Sequence, residues 1–301
     1  MKKALITGGH GLIGSEFKDD IRVGRADFDL TDIDATYSYF ESMRPDTVIH
    51  TAGRVGGVAA NTNYVYDFFL DNIRINTNVI DSAVKTGVQK LIAFTSTCVM
   101  PDKIQYPLEE SYIHLGPPHS SNFGYAYAKR MVDVQIQACN QQYGTKYFTV
   151  IPTNVYGPRD NYDLENGHVL PSLIHRCYLA KQSGDPFEVW GTGTPLREFV
   201  FSRDVANICD ILLDKHSDTT PVIISTATEY TIKQVVELVC SIMNFTGKVV
   251  WNQNKPDGQY RKPTNTKHLQ SIIGDYKFVD FTAGLEETID YFIKNYNSIR
   301  K

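Results

Sequence analysis

Short apolar runs and helical stretches alternate through the first half of the chain. KALITG (3–8), DTVIHTAG (46–53), QKLIAFTS (89–96) and KYFTVIPTN (146–154) read as strands buried on both faces. Helical patterns occupy 31–43, 67–87 and 123–143 between them. This alternation predicts a parallel sheet covered by helices, an α/β domain of the Rossmann-type, doubly wound class over residues 1–155. A second strand is expected around Ile21 to Val23. Only six residues separate it from Gly14, close to the minimum for a crossover, so the first helix should be clipped.

Beyond residue 155 the pattern loosens. Gly, Pro, Asn and Asp crowd YGPRDNYDLENGH (156–168), a helix is expected over 169–182, NKPDGQYRKP (254–263) reads as a loop, and a last helical run lies near 283–299. These pieces predict a smaller, discontinuous α/β substrate-binding lobe over 156–301, with parts of the first sheet contributed from about 185–210. The chain shows no internal repeat and no low-complexity tract.

Composition narrows the class. The 301 residues are 42% hydrophobic and carry a formal net charge of −4, which fits a globular core and offers no basic bulk for nucleic acid. Cys98, Cys139, Cys177, Cys209 and Cys240 are scattered, without a CxxC pair. They read as reduced thiols of a cytoplasmic protein, and no metal-ligand set is read from the spacing. The run from Ala4 to Thr7 is too short for a signal peptide, and no run approaches the ~18 apolar residues of a membrane span. The sequon Asn244-Phe245-Thr246 reads as chance in that setting.

LITGGHGLIG sets Gly8, Gly9, Gly11 and Gly14 at the turn after the first strand, with Leu12 and Ile13 between the last two glycines. Glycines at this spacing let the backbone approach a pyrophosphate, which the following helix N-terminus faces with its positive end. After the second strand the chain reads IRVGRADFDL, with Arg22 and Arg25 and no immediate acid. A guanidinium suits a 2′-phosphate, which favours NADP(H), with Arg25 as the contact; a solvated surface arginine is the alternative. Asp29, beside Leu30, is a candidate adenine contact.

FGYAYAKR contains Tyr125 and Lys129, four residues apart and so on one helix face. An ammonium beside a phenol is expected to lower the phenol's pKa towards working pH, so that Tyr125 exchanges a proton with a carbonyl oxygen while hydride moves. Ser96 precedes them at a strand end. This order of parts resembles the extended short-chain dehydrogenase/reductase superfamily. The resemblance implies that Ser96 and Tyr125 bond the substrate oxygen and that Lys129 also holds the nicotinamide ribose.

Further stretches resemble one branch of that superfamily: AGRVGGVAAN (52–61), STCVMPDK (96–103), GPPHSSNFGYAYAKR (116–130), IPTNVYGPRDNYDLENGHVLP (151–171) and VWGTGTPLREF (189–199). The likeness is to the GDP-L-fucose synthase family, whose members epimerise C3 and C5 of GDP-4-keto-6-deoxy-D-mannose and reduce C4. It implies epimerisation by Cys98 and His168, cofactor contacts at Ala52, Lys129 and His168, and a homodimer formed through the helices near 67–87 and 123–143. The C4 ketone acidifies the hydrogens on C3 and C5, so a base and an acid must flank the sugar near donors that hold the enolate oxygen. A thiol is a workable base because free Cys titrates at ~8.5 and a nearby cation lowers that. Packing is the other reading of Cys98; helix capping or phosphate binding is the other reading of His168. The resemblance places the diphosphate on Arg176 and Arg197. Lys255 is a further candidate, Asn154 is a contact to the sugar or pyrophosphate, and Asp257 is a candidate reader of guanine. Trp190 has two readings, a nucleotide-pocket wall or a core aromatic. A 4-epimerase or 4-keto reductase acting on a UDP or dTDP sugar is the alternative function, and an idle NADP-sensing module is another.

Overall fold

The computed structural model describes residues 4–255 and 257–301. Lys3, at the head of the first expected strand, and Pro256, in the 254–263 loop, lie outside the described residues.

The first half follows the apolar pattern closely. Its elements are β1 (Leu5–Thr7), β2 (Ile21–Val23), α1 (Ile33–Met43), β3 (Thr47–His50), α2 (Val58–Asn63), α3 (Val65–Thr86), β4 (Lys90–Phe94), α4 (Phe123–Tyr143) and β5 (Lys146–Pro152). The second half comprises β6 (Asn154–Tyr156), α5 (Val169–Ser183), β7 (Phe187–Trp190), β8 (Leu196–Phe201), α6 (Ser202–Lys215), β9 (Val222–Ile224), β10 (Glu229–Thr231), α7 (Ile232–Ile242), β11 (Val249–Asn252), α8 (Lys267–Ile273) and α9 (Phe281–Lys294). No helix is long and apolar enough to cross a membrane, among the described residues.

Six parallel strands form the main sheet in the order β2-β1-β3-β4-β5-β9. The chain leaves β1 for β2 on one side and returns to β3 on the other. That reversal opens a crevice beyond the C-terminal ends of β1 and β3, where doubly wound sheets bind ligands. Successive strand residues face opposite sides. Leu5, Val48, Leu91, Ala93 and Tyr147 pack against α1, α3 and α4. Ile6, Ile49, Ile92, Phe94 and Phe148 pack against α6 and α8. Both faces are therefore apolar, as the unbroken runs require.

The first helix is clipped to a single 3₁₀ turn, Gly14–Glu16. Ser202 Oγ donates to Glu16 Oε1 at 2.8 Å and ties that turn to α6. One expectation is corrected. The strand lent to the main sheet by the second half is β9, not a piece from 185–210. β5 runs through Thr153 into β6, which takes β8 as its partner, so the edge of β5 is left for β9. Residues 185–210 lend instead the start of α6, whose Val205, Ile208 and Cys209 cover the sheet. The smaller sheets, β10-β8-β6 and β11-β7, belong to the second lobe. Its core gathers α5, α7 and α9 around Phe187, Phe199 and Phe201.

Candidate active site

The glycine turn is crowded on the protein side and open on the other. A Cβ at Gly8 would lie 2.7 Å from the Ala52 amide nitrogen, one at Gly9 would lie 2.5 Å from Arg22 Cβ, and one at Gly14 would lie 2.3 Å from Gly8 O. Gly11 has only Gly8 O near its missing Cβ, at 3.3 Å. Among the described residues, the amides of Leu12 and Ile13 have no acceptor. Two free N–H groups on a turn that a ligand can approach suit a pyrophosphate. The expected helix dipole is replaced here, because a three-residue 3₁₀ turn sums too few peptide dipoles. Local amides, rather than a macrodipole, are the donors.

The two arginines after β1 separate in role. Arg22 packs under Gly9 and donates to Ser15 O at 3.2 Å, so it staples the turn. Arg25 is exposed just past β2. Asp29 bonds the N–H and hydroxyl of Thr31, both at 2.9 Å, and those bonds hold its pKa down. Asn78 Nδ2 donates to Leu30 O at 2.9 Å, anchoring that corner to α3.

Helix α4 is bolted to the segment after β4. Lys129 Nζ donates to Phe94 O at 2.9 Å, and Arg130 Nε donates to Val99 O at 2.6 Å. Ser96 and Cys98 lie between those two anchors, and Ser96 Oγ accepts from the Cys98 N–H at 3.4 Å. Tyr125, one turn before Lys129, joins Ala60 and Phe68 in a small buried cluster that Cys98 packs against. Burial, and then the Cys98 charge, raise the Tyr125 pKa. The lowering expected from Lys129 is overturned: with the phenol this deeply enclosed, desolvation of the phenolate dominates. The same burial lowers Lys129 to about 8.

Sequence reasoning missed three supports of this wall. Asn72 is fully buried; it accepts from the Arg54 N–H at 3.1 Å and donates to Arg54 O at 3.0 Å, fixing the loop after β3. A Cβ on Gly53 in that loop would meet Asn72 Oδ1 at 3.0 Å and Lys129 Nζ at 3.3 Å. His50 lies beneath, bonded to Thr7 Oγ1 at 2.7 Å and Asn76 Oδ1 at 3.0 Å. Burial and then the Lys129 charge lower its pKa to about 3, so it is neutral. Arg130 is the third. Asn72 on α3 and Arg130 on α4 are polar positions among apolar neighbours, which flags them without naming their partners; His50, on β3, carries no such signal.

His168 is the N-cap residue of α5, but its side chain makes no capping bond. The ring is solvent-exposed, yet protein encloses it closely enough for burial, and then Arg300, to lower its pKa. The turn before it abuts the Tyr125 cluster: Gly57 N–H donates to Asn166 O at 2.8 Å, and a Cβ at Gly56 would lie 3.1 Å from Ala60 Cβ and 3.4 Å from Asn166 O.

The remaining candidates gather in the second lobe. Trp190 is half-buried at the end of β7, with the Arg176 guanidinium 4.4 Å and the Lys255 ammonium 4.9 Å from its ring centre. It stands outside the buried core, so the core-aromatic reading does not hold. Arg176 also donates to Leu164 O at 2.8 Å. Arg197 reaches Asp257 O at 3.5 Å and Leu196 O at 2.7 Å; burial lowers its pKa, while Cys98 and then Asp257 oppose that. Its guanidinium is thereby held against the 254–263 loop. Asp257 accepts from the Thr192 N–H at 2.7 Å and Thr192 Oγ1 at 2.9 Å. Asn154 donates to Glu198 O at 2.7 Å and is exposed on β6.

A glycine turn opens the doubly wound sheet, Ser96 follows β4, and Tyr125 and Lys129 stand one turn apart on α4, which is the frame of a nicotinamide-dependent oxidoreductase. The model of the NAD dependent epimerase/dehydratase family matches residues 4–225, and the chain belongs to that family. Within it the chain falls among the GDP-L-fucose synthases. It is 41% identical to the GDP-L-fucose synthase of Dictyostelium discoideum, covering 100% of this chain and 98% of the relative. It is 32% identical to that of Escherichia coli K12, covering 99% of each. The crystal structure of a GDP-L-fucose synthetase from Naegleria fowleri bound to NADP matches with a TM-score of 0.92 at 38% identity, covering 100% of this chain and 95% of that one.

Proposed function

We infer that this chain converts GDP-4-keto-6-deoxy-D-mannose to GDP-L-fucose, inverting C3 and C5 through enolates and then reducing C4. The placement of α4 carries this reading: its two anchors set Tyr125, Ser96 and Cys98 along one wall, with Arg197 in electrostatic reach of the thiol. NADP(H) is the cofactor, and when bound it supplies hydride to C4. The Leu12 and Ile13 amides hold its pyrophosphate, Arg25 the 2′-phosphate and Lys129 the ribose.

Ser96 and Tyr125 donate to the C4 oxygen, which stabilises the enolate oxyanion. Cys98 removes the carbon-bound proton and His168 returns one from the opposite face. Tyr125 then gives its proton to the C4 oxygen. A phenol with a raised pKa is protonated when that step begins. Trp190 offers a face to the base, and Arg176, Lys255 and Arg197 meet the diphosphate. Asn154 bonds the sugar or pyrophosphate, and Asp257 accepts from guanine.

The chain acts as a homodimer in the cytoplasm. Tyr66 and Phe69 on α3, with Phe123, Met131 and Val134 on α4, are exposed apolar side chains on two adjacent helices, which supports pairing there. All five cysteines are free, as a reducing compartment keeps them. Joint Phe69→Asp and Met131→Asp substitution should give a folded monomer by sedimentation.

The deciding assay supplies GDP-, UDP- and dTDP-keto sugars with NADPH in deuterated water. Turnover of the GDP sugar with label at C3 and C5 is expected. Label at neither carbon with the unaltered protein rejects the double epimerisation. Tyr125→Phe should lower NADPH oxidation by about 10²–10⁴-fold while label still enters.

A further inference from the structure

A second cluster of chemistry-bearing side chains lies away from this site. His216 ends α6, Asp218 sits in the loop before β9, and His268 is on the first turn of α8. Because the sheet is parallel, the N-terminal end of β9 is on the edge opposite the glycine turn. One ligand atom from each of the three residues falls within 4.8 Å of the others. We propose that His216, Asp218 and His268 bind a divalent transition-metal ion of the zinc class, which clasps the loop before β9 to α8.

The donor set selects the ion. Two imidazoles and one carboxylate suit zinc, nickel or copper better than magnesium or calcium. The geometry is near what such an ion needs. Two imidazoles sharing a tetrahedral ion at ~2.1 Å hold their ring centres about 5–6 Å apart. The His216 and His268 centres are 5.7 Å apart. His216 Nε2 lies 3.5 Å from Asp218 Oδ1. Around one tetrahedral ion, ligand atoms stand roughly 3.4 Å apart. Asp218 Oδ1 also accepts from the Thr220 N–H at 2.9 Å and from Thr220 Oγ1, so the carboxylate is fixed beside the ring, and its 61% exposed side chain leaves Oδ2 open for an ion.

The surroundings are those of a ligated histidine. Glu110 Oε1 faces His268 Nδ1 at 3.5 Å, and the Ile223 N–H fixes the same oxygen at 3.0 Å. A carboxylate on one ring nitrogen orients the ring and leaves the other nitrogen for the metal. The His216 side chain is 1% exposed, held edge-on to Phe148 at 4.7 Å between ring centres. Its Nε2–H donates to Thr220 O at 3.0 Å. Ligation through Nε2 moves that proton to Nδ1 and leaves the carbonyl as a further oxygen donor. Asp218 keeps the mouth of the site open to solvent.

The test uses the full chain without a histidine tag, titrated with Zn²⁺ by calorimetry and with Co²⁺ by visible absorption. We expect one equivalent of Zn²⁺ per chain at micromolar or tighter affinity, and Co²⁺ bands without the near-ultraviolet signature of a thiolate ligand. His268→Ala and Asp218→Asn should each weaken Zn²⁺ binding by at least about tenfold. Saturating Zn²⁺ should raise the melting midpoint of the unaltered chain by a few degrees and of neither variant, since an ion bound only to the native state stabilises it. Absence of binding at 100 µM Zn²⁺ (about 100 times the expected dissociation constant), a cobalt–thiolate band, or unchanged affinity in both variants overturns the proposal. Asp218→Asn alters an exposed side chain, so the test survives misfolding of the other variant.

Discussion

Burial acts against charge on both Tyr125 and Lys129, raising the phenol and lowering the ammonium to about 8. At neutral pH the phenol is protonated and the lysine is mostly charged. Affinity for NADPH, read by fluorescence, should therefore fall as pH rises through about 8, and Lys129→Met should remove that limb. The stability effect has the opposite sign. Between about 8 and the ordinary 10.5 the unfolded chain binds a proton that the folded chain does not, so the contribution of Lys129 to stability improves with pH in that window. Asp160 shows the acidic counterpart. It is buried, with Oδ2 unpartnered among the described residues, and burial raises its pKa to about 7. Its folded value exceeds its unfolded 3.8, so the charge penalty is full above 7 and is relieved as pH falls from there. Asp160→Asn should add about 1–3 kcal/mol in urea unfolding at pH 8, with the gain gone near pH 4.

Helix α4 is legible as an element because its apolar face and its YxxxK spacing agree. Its attachment is tertiary: Lys129 and Arg130 bond carbonyls thirty-five and thirty-one residues earlier in the chain. A second joint of this kind lies before α2. A Cβ at Gly57 would stand 2.5 Å from Gly167 O, where a backbone atom cannot swing away. Gly57→Ala should push the 163–168 turn outward and carry His168 with it. Deuterium entry at C3 and C5 should drop at least tenfold (about 1.4 kcal/mol in the barrier).

Across the whole molecule, Glu198 stitches the lobes. It is buried on β8 and accepts from the Thr264 N–H at 3.0 Å, Thr264 Oγ1 at 2.6 Å and Ser225 Oγ at 2.7 Å. The segment at 264 reaches it from the second lobe and Ser225 from the end of β9. Burial, the leading influence, raises its pKa, and the three bonds oppose that. Glu198→Ala strands three donors in the interior and should cost about 2–4 kcal/mol by denaturant unfolding. Turnover should fall as well, because Asn154 bonds the Glu198 carbonyl and Arg197 precedes it on β8.

Sequence alone determined the parallel sheet, the clipped first crossover, the glycine turn and the one-turn spacing of Tyr125 and Lys129 on α4. Each is written in local spacing: apolar runs of strand length, six residues where a helix needs more, a residue pair one turn apart. Local pattern did not reveal which strand fills the edge of β5, because β7, β8 and β9 are all short apolar runs and only long-range pairing separates them. Nor did it reveal the direction of the Tyr125 shift, since desolvation depends on what encloses the phenol. The tasks of Asn72, Arg130 and Glu198 were hidden for the same reason: a buried polar residue declares its task only when its distant partners are in place. The cations around Trp190 were legible one at a time; that Arg176 and Lys255 flank the same indole was decided by the folding of α5, β7 and the 254–263 loop onto one another.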